Sequence, residues 1–151
     1  MKWITRARPK TDRIACPWLI RRFIDADAEI IYVSTEEVLA TAQAAGGHSF
    51  DTPGATYHHR PQENGQEWCT FETLIAEFNL RNDPALTRLA AIVHAADIER
   101  DLDSDPLGPG LHAIGVGGLA VEPDDHELLR HGMFVYDALY AWCAAQGTAP
   151  A

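Results

Sequence analysis

Glu29-Ile30-Ile31-Tyr32-Val33 is the stretch on which the fold turns, an apolar, β-branched run of strand length. Upstream of it, Lys2-Trp3-Ile4-Thr5 reads as a second short strand. Between the two, Ile14, Leu19, Ile20 and Phe23 recur near helical spacing over residues 13–24, after a Thr11-Asp12 cap. Pro17 sits inside that pattern, where it removes a backbone donor and crowds the preceding turn. The expectation is a kink there, or a helix that starts at Pro17. Downstream, Ser34-Thr35 caps a helix over 36–45, which Gly46-Gly47 ends. This β-α-β-α order allows the two strands to lie parallel with a helical crossover.

Residues 48–68 are rich in Gly, Pro, His and Gln. Residues 48–51 and 55–59 read as short strands, with loops around Pro53-Gly54 and over 60–66. A loop this long in a compact domain is often functional. From Thr70, placed at a cap, the pattern turns helical, with Phe71, Leu74, Ile75 and Phe78 on one face. Asp83 at a cap and Pro84 at the first helical position open another helix, running through Leu86, Leu89, Ile92 and Val93. Residues 101–110 read as a polar loop and 111–119 as a glycine-containing helix. Pro123-Asp124-Asp125 starts a last helix striped by Leu128, Leu129, Phe134, Leu139 and Trp142. The fold class expected is a mixed, helix-rich α/β domain. It has a small, partly parallel sheet in the N-terminal part and a mainly helical C-terminal half. One domain covers 1–145, and 146–151 read as a flexible tail.

A chain of 151 residues suffices for one core. No run approaches the ~20 apolar residues of a membrane span, and the charged N-terminus leads into no signal-like apolar segment. Cys16, Cys69 and Cys143 form no CxxC pair, and an odd number leaves a thiol over. A reducing, cytoplasmic setting is therefore expected. The net charge of −10 argues against nucleic-acid binding, which depends on basic residues displacing counterions from phosphates. The basic residues cluster in the first 22 positions, so a local anion site remains open there.

Three stretches carry a family resemblance. They are Asp12-Arg13-Ile14-Ala15-Cys16-Pro17-Trp18-Leu19-Ile20-Arg21-Arg22-Phe23-Ile24-Asp25, then Phe50-Asp51-Thr52-Pro53-Gly54 with His58-His59 and Cys69-Thr70-Phe71, and finally Ala96-Asp97 with the run from Tyr136 to Trp142. In these the chain resembles the C-terminal domain of bacterial chromate-resistance ChrB proteins. The resemblance implies a part in resistance to, or sensing of, the oxyanion chromate, and partners such as sulfurtransferase or DNA-binding domains. Because the sequence starts directly at the C-terminal-type domain, a DNA-binding regulatory role is not expected of it. His94 departs from the resemblance, standing where an arginine is expected in many relatives.

Imidazole and thiolate both bind zinc and iron, and the His58-His59 pair is followed by Cys69 ten residues after His59. Adjacent strand residues point to opposite faces, so only one of the pair should face an ion. The resemblance favours His59. On a following helix, His94 and Asp97 are three apart and share a face, as two ligands or as a carboxylate orienting an imidazole. The expected metal set is thus His59, Cys69 and Asp97, possible additions being His58 and His94, with iron, manganese or zinc as the ion. The alternative is a surface histidine, a cysteine buried as a small hydrophobe and an aspartate bonded at a helix end. Arg13, Arg21 and Arg22 could bind an oxyanion such as chromate or sulfate, or simply pair with neighbouring acids. Cys16 is either a redox thiol or a structural core residue, and Asp12 a helix cap. Three functions follow as expectations: a metal- or oxyanion-binding domain of chromate resistance, a metal-dependent redox enzyme acting on chromate or reactive oxygen, or an interaction module beside a partner protein.

Overall fold

The computed structural model describes residues 1–148. Strand β1 (Lys2–Arg6) is central in a three-stranded parallel sheet of order β2-β1-β3, with β2 at Glu29–Val33 and β3 at His48–Ser49. Lys2 pairs with Glu29 and Arg6 with Val33 on one side, and Trp3 with His48 on the other. The two-residue period decides the packing. Ile4, Ile31 and Val33 turn to one face, against Val38 and Ala42 of α2 (Val38–Ala45). Trp3, Ile30 and Tyr32 turn to the other, joining the main core. Gly46 ends α2 in the left-handed region at φ 65°. A Cβ on Gly47 would lie 2.6 Å from the Lys2 carbonyl oxygen, so only glycine lets β3 enter beside β1.

Helix α1 (Asp12–Leu19) begins at Asp12 and runs through Pro17, then widens to a π-helical turn over Ile20–Ile24. The alternative of a helix that starts only at Pro17 is thereby corrected. Without an N–H on Pro17, the Arg13 carbonyl four residues earlier loses its helical donor. The Tyr32 hydroxyl of β2 donates to it instead, at 2.8 Å. Thr11 occupies the cap position but its side chain makes no capping bond. Ser34 likewise makes none, and a 3₁₀ turn over Thr35–Glu37 precedes α2.

The expected strand over 55–59 is reduced to a single bridge between Phe50 and Tyr57. The expected loop over 60–66 lies within a small antiparallel hairpin, β4 (Arg60–Pro61) with β5 (Glu67–Trp68). Helix α3 (Thr70–Glu77) is capped by Cys69, not Thr70, with the Glu72 carboxylate accepting from the Cys69 amide at 3.0 Å. Helix α4 (Pro84–Asp97) opens as expected, Asp83 accepting from the amides of Ala85 and Leu86. The polar stretch after it holds a 3₁₀ segment, Glu99–Ser104, before α5 (Gly108–Val121).

Helix α6 (Asp125–Thr148) packs on α1 and α4. Its buried stripe is Leu129, Tyr136 and Cys143, seven residues apart. Phe134 and Trp142, expected in the stripe, are exposed instead, because they fall outside that two-turn repeat. Trp142 lies beneath the Arg88 guanidinium. The helix also continues through Thr148, into the segment expected as a tail; 149–151 lie outside the described residues. Among the described residues no helix is long and apolar enough to cross a membrane.

Candidate functional site

Four chain segments converge on His59, which sits just before β4. Asp12 is the first residue of α1, Asp51 follows β3, Glu67 lies on β5 and Asp97 ends α4. The His59 Nε2 is 3.1 Å from an Asp97 oxygen and 3.4 Å from oxygens of both Asp12 and Asp51. Its Nδ1 faces Glu67 at 3.4 Å. Donor atoms of Asp12, His59 and Asp97 all lie within 4.8 Å of one another.

The carboxylates are held from behind. The Thr70 amide, at the start of α3, donates to Asp12 at 2.7 Å, and the Thr70 hydroxyl donates to Asp51 at 2.7 Å. A helix N-terminus thus bonds an acid from another helix. Arg6 and Arg13 approach the second Asp51 oxygen at 3.5 and 3.6 Å, and the Arg6 Nε donates to the Asp51 carbonyl. Asp51 itself holds a left-handed φ of 54°, an uncommon conformation for a residue other than glycine. This array of contacts aims its carboxylate inward.

Asp12 is wholly buried, and its Oδ1 has no hydrogen-bond partner among the described residues. Burial, and then the Asp97 charge, push its carboxyl well above the usual range. Hydrogen bonds to Asp12, Asp51 and Asp97 hold the His59 imidazole far above its ordinary value, against the downward pull of burial. The crowding of carboxylates around His59 therefore favours a proton on its imidazole, a proton on Asp12 or a cation between them. On one side it meets a cleft of about 430 Å³ lined by Arg6, Asp51, Thr52, Pro53, His58 and His59.

Of the residues read from the sequence, His59 and Asp97 come together. Cys69 does not join them: its donor atom groups with those of Glu72 and His94. There the His94 Nδ1 meets Glu72 and its Nε2 meets Asp101 at 2.7 Å, so both ring nitrogens are engaged. His94 and Asp97, three apart on α4, thus serve different clusters. Burial pushes the Cys69 and Cys16 thiols well up, as in structural cysteines and against a redox role for Cys16. His58 turns its Nδ1 to the His59 carbonyl at 2.6 Å and borders the cleft.

The three arginines of the expected anion site diverge. Arg13 faces Asp51 and the carbonyls of Arg6 and Ala7, Arg21 donates to the Ala28 carbonyl, and Arg22 makes a two-bonded pair with Asp137. Residue chemistry along the chain does not single out Asp51 as a site residue, and it gives Asp12 only the role of a helix cap. Both stand in the stretches that carry the family resemblance, which was the available signal.

The family described as ChrB, C-terminal domain matches residues 3–143. Protein ChrB of Cupriavidus metallidurans is 36% identical over 141 residues, which cover 92% of this chain and 40% of that relative. The chain thus spans well under half the length of the curated relative it matches. No solved structure matches it.

Proposed function

The chain belongs to the family of ChrB C-terminal domains, which ties it to chromate resistance, and we propose that it binds a divalent transition metal through Asp12, His59 and Asp97. The spacing of donor atoms around the His59 Nε2 carries this reading. Two ligands each ~2.1 Å from one ion stand about 3.0 Å apart at a right angle and about 3.4 Å apart at the tetrahedral angle. The distances of 3.1 Å to Asp97 and 3.4 Å to Asp12 fall in that interval. The buried, unpartnered Asp12 Oδ1 is further support, since an orphaned carboxylate oxygen is costly unless a cation or proton meets it.

One imidazole with two carboxylates and no thiolate is a hard, oxygen-rich set, which favours manganese or iron over zinc. Asp51, tied to Thr70, Arg6 and Arg13, orients the set from outside. Three protein ligands leave positions for a small molecule entering from the cleft, as a sensing or catalytic site requires. The Arg6 guanidinium on that cleft suits an anion, an oxyanion of the chromate or sulfate kind or a reduced oxygen species.

The test is elemental analysis of untagged protein purified without chelator, alongside His59→Gln and Asp97→Asn. Near-stoichiometric manganese or iron in the parent, lost in both variants, is expected. Metal below about a tenth of an equivalent, even after reconstitution with manganese, iron or zinc salts, would leave His59 as an imidazolium clamp among carboxylates and overturn the reading.

A further inference from the structure

A second group of donors lies apart from the His59 cluster. Cys69 immediately precedes α3, Glu72 stands in the first turn of α3 and His94 in the last turn of α4. Donor atoms of the three all lie within 4.8 Å of one another. Cys69 is wholly buried, while Glu72 and His94 are half-buried. The His94 ring is held from its far side, where Nε2 meets an Asp101 oxygen at 2.7 Å. A carboxylate can only accept, so the proton stays on Nε2 and Nδ1 is aimed at Glu72 and Cys69. This is how a carboxylate orients a metal-binding imidazole.

Tetrahedral zinc, at about 2.3 Å from sulfur and about 2.1 Å from nitrogen or oxygen, holds such ligands about 3.4–3.6 Å apart. The 2.5 Å contact between Nδ1 and Glu72 opens by about 1 Å to meet that geometry, and the 4.8 Å limit leaves the thiol at most a similar distance to close. Charge fits as well, since a divalent ion with one thiolate and one carboxylate is neutral. In the metal-free protein a proton takes that place, and the His94 imidazole is held up to about 9, first by its hydrogen bond to Glu72. Burial, then the charges of Asp12 and Glu72, keep the Cys69 thiol protonated, and a coordinated metal displaces that proton. Glu72 also borders an open cleft with Trp68, Ile75 and Arg81, which gives an ion and a water ligand their way in.

We infer that Cys69, Glu72 and His94 form a zinc site of their own, with Asp101 orienting His94. Soft sulfur separates it from the oxygen-rich His59 cluster and selects zinc over manganese. Zinc there ties the start of α3 to the end of α4. Thr70, next to Cys69, holds Asp12 and Asp51, and Asp97 stands three residues after His94, so the ion braces both helices behind the His59 cluster. Zinc binding itself does not depend on that cluster.

Cobalt(II) is the probe for zinc, because a thiolate ligand gives it a near-ultraviolet charge-transfer band. In chelator-stripped His59→Gln protein, about one equivalent of cobalt should raise this band and zinc should abolish it. Calorimetry of the zinc titration at neutral pH, in buffers of different ionisation enthalpy, should show about two protons released, one from Cys69 and one from His94. Cys69→Ser and His94→Gln should each remove the band, and Asp101→Asn should weaken zinc about ten- to a hundredfold. If Cys69→Ser fails to fold, the half-buried His94→Gln still decides. A band that persists in His94→Gln would overturn the assignment. So would the lack of a band in both parent and His59→Gln, whether or not the parent holds manganese or iron. The band in a parent that takes up neither manganese nor iron would strike the other site and leave this one.

Discussion

Asp97→Asn should change the sign or size of its effect on stability according to whether metal is present. In chelator, the substitution gives up the 3.1 Å contact between Asp97 and the His59 Nε2. It also removes the like charge that helps push the buried Asp12 carboxyl upward. These effects oppose each other, so metal-free variant and parent should agree within about 1 kcal/mol. With free metal at a hundred times the dissociation constant, the parent should gain about 2.7 kcal/mol by mass action. For a domain of this size that corresponds to about 5–10 °C in melting temperature. The variant has lost one of three ligands and should gain little. The assay is calorimetric melting of both proteins in chelator and in a manganese(II) or iron(II) series. A parent whose melting temperature ignores every metal, or a variant stabilised as strongly as the parent, would refute the reasoning.

Three further outcomes follow from contacts elsewhere. Tyr32→Phe should cost about 1–2 kcal/mol, because it strips the Arg13 carbonyl of the donor that replaces the missing Pro17 amide; Pro17→Ala, which restores that amide, should make the same change milder in a double-mutant cycle. The His94 imidazole is raised to about 9, first by its hydrogen bond to Glu72 and then by Asp101. A raised histidine contributes stability that is full below its unfolded value near 6.5 and is lost as pH rises through about 9, so urea unfolding should show a loss of about 1–2 kcal/mol over that window that His94→Gln flattens. Asp137→Ala should cost about 1–3 kcal/mol because it orphans the buried Trp18 indole N–H as well as Arg22, whereas Arg22→Ala should cost at most about 1 kcal/mol. Equal costs for the last two in chemical denaturation would show that the indole finds another acceptor.

The parallel pairing of Lys2–Arg6 with Glu29–Val33, the helix opened by Asp83-Pro84 and the stop at Gly46 were all legible from local chemistry. Each rests on a short-range rule: alternation, a cap with proline behind it, or a left-handed position. The course of α1 through Pro17 was not legible, because what makes it tolerable is a hydroxyl from another strand, 19 residues away along the chain. Phe134 and Trp142 misled for a related reason. Several registers of a 24-residue helix carry apolar side chains, and only the position of α1 and α4 selects one of them for burial.

The site divides in the same way. His59 and Asp97 could be nominated from residue chemistry and family resemblance, since imidazole and carboxylate are ligands wherever they converge. Which residues converge is a three-dimensional fact. Cys69 is a good ligand by chemistry, but the capping geometry at the start of α3 groups it with Glu72 and His94. Asp12 and Asp51 look like a helix cap and a turn residue, and become members of the cluster only because the Thr70 amide and hydroxyl hold their carboxylates toward His59. By itself the sequence determined the fold class, the family and the kinds of donor available, because those depend on local pattern and composition. The tertiary structure alone decided which donors face one another, because contacts between residues 12, 51, 59 and 97 are set by the packing of separate elements and leave no periodic trace along the chain.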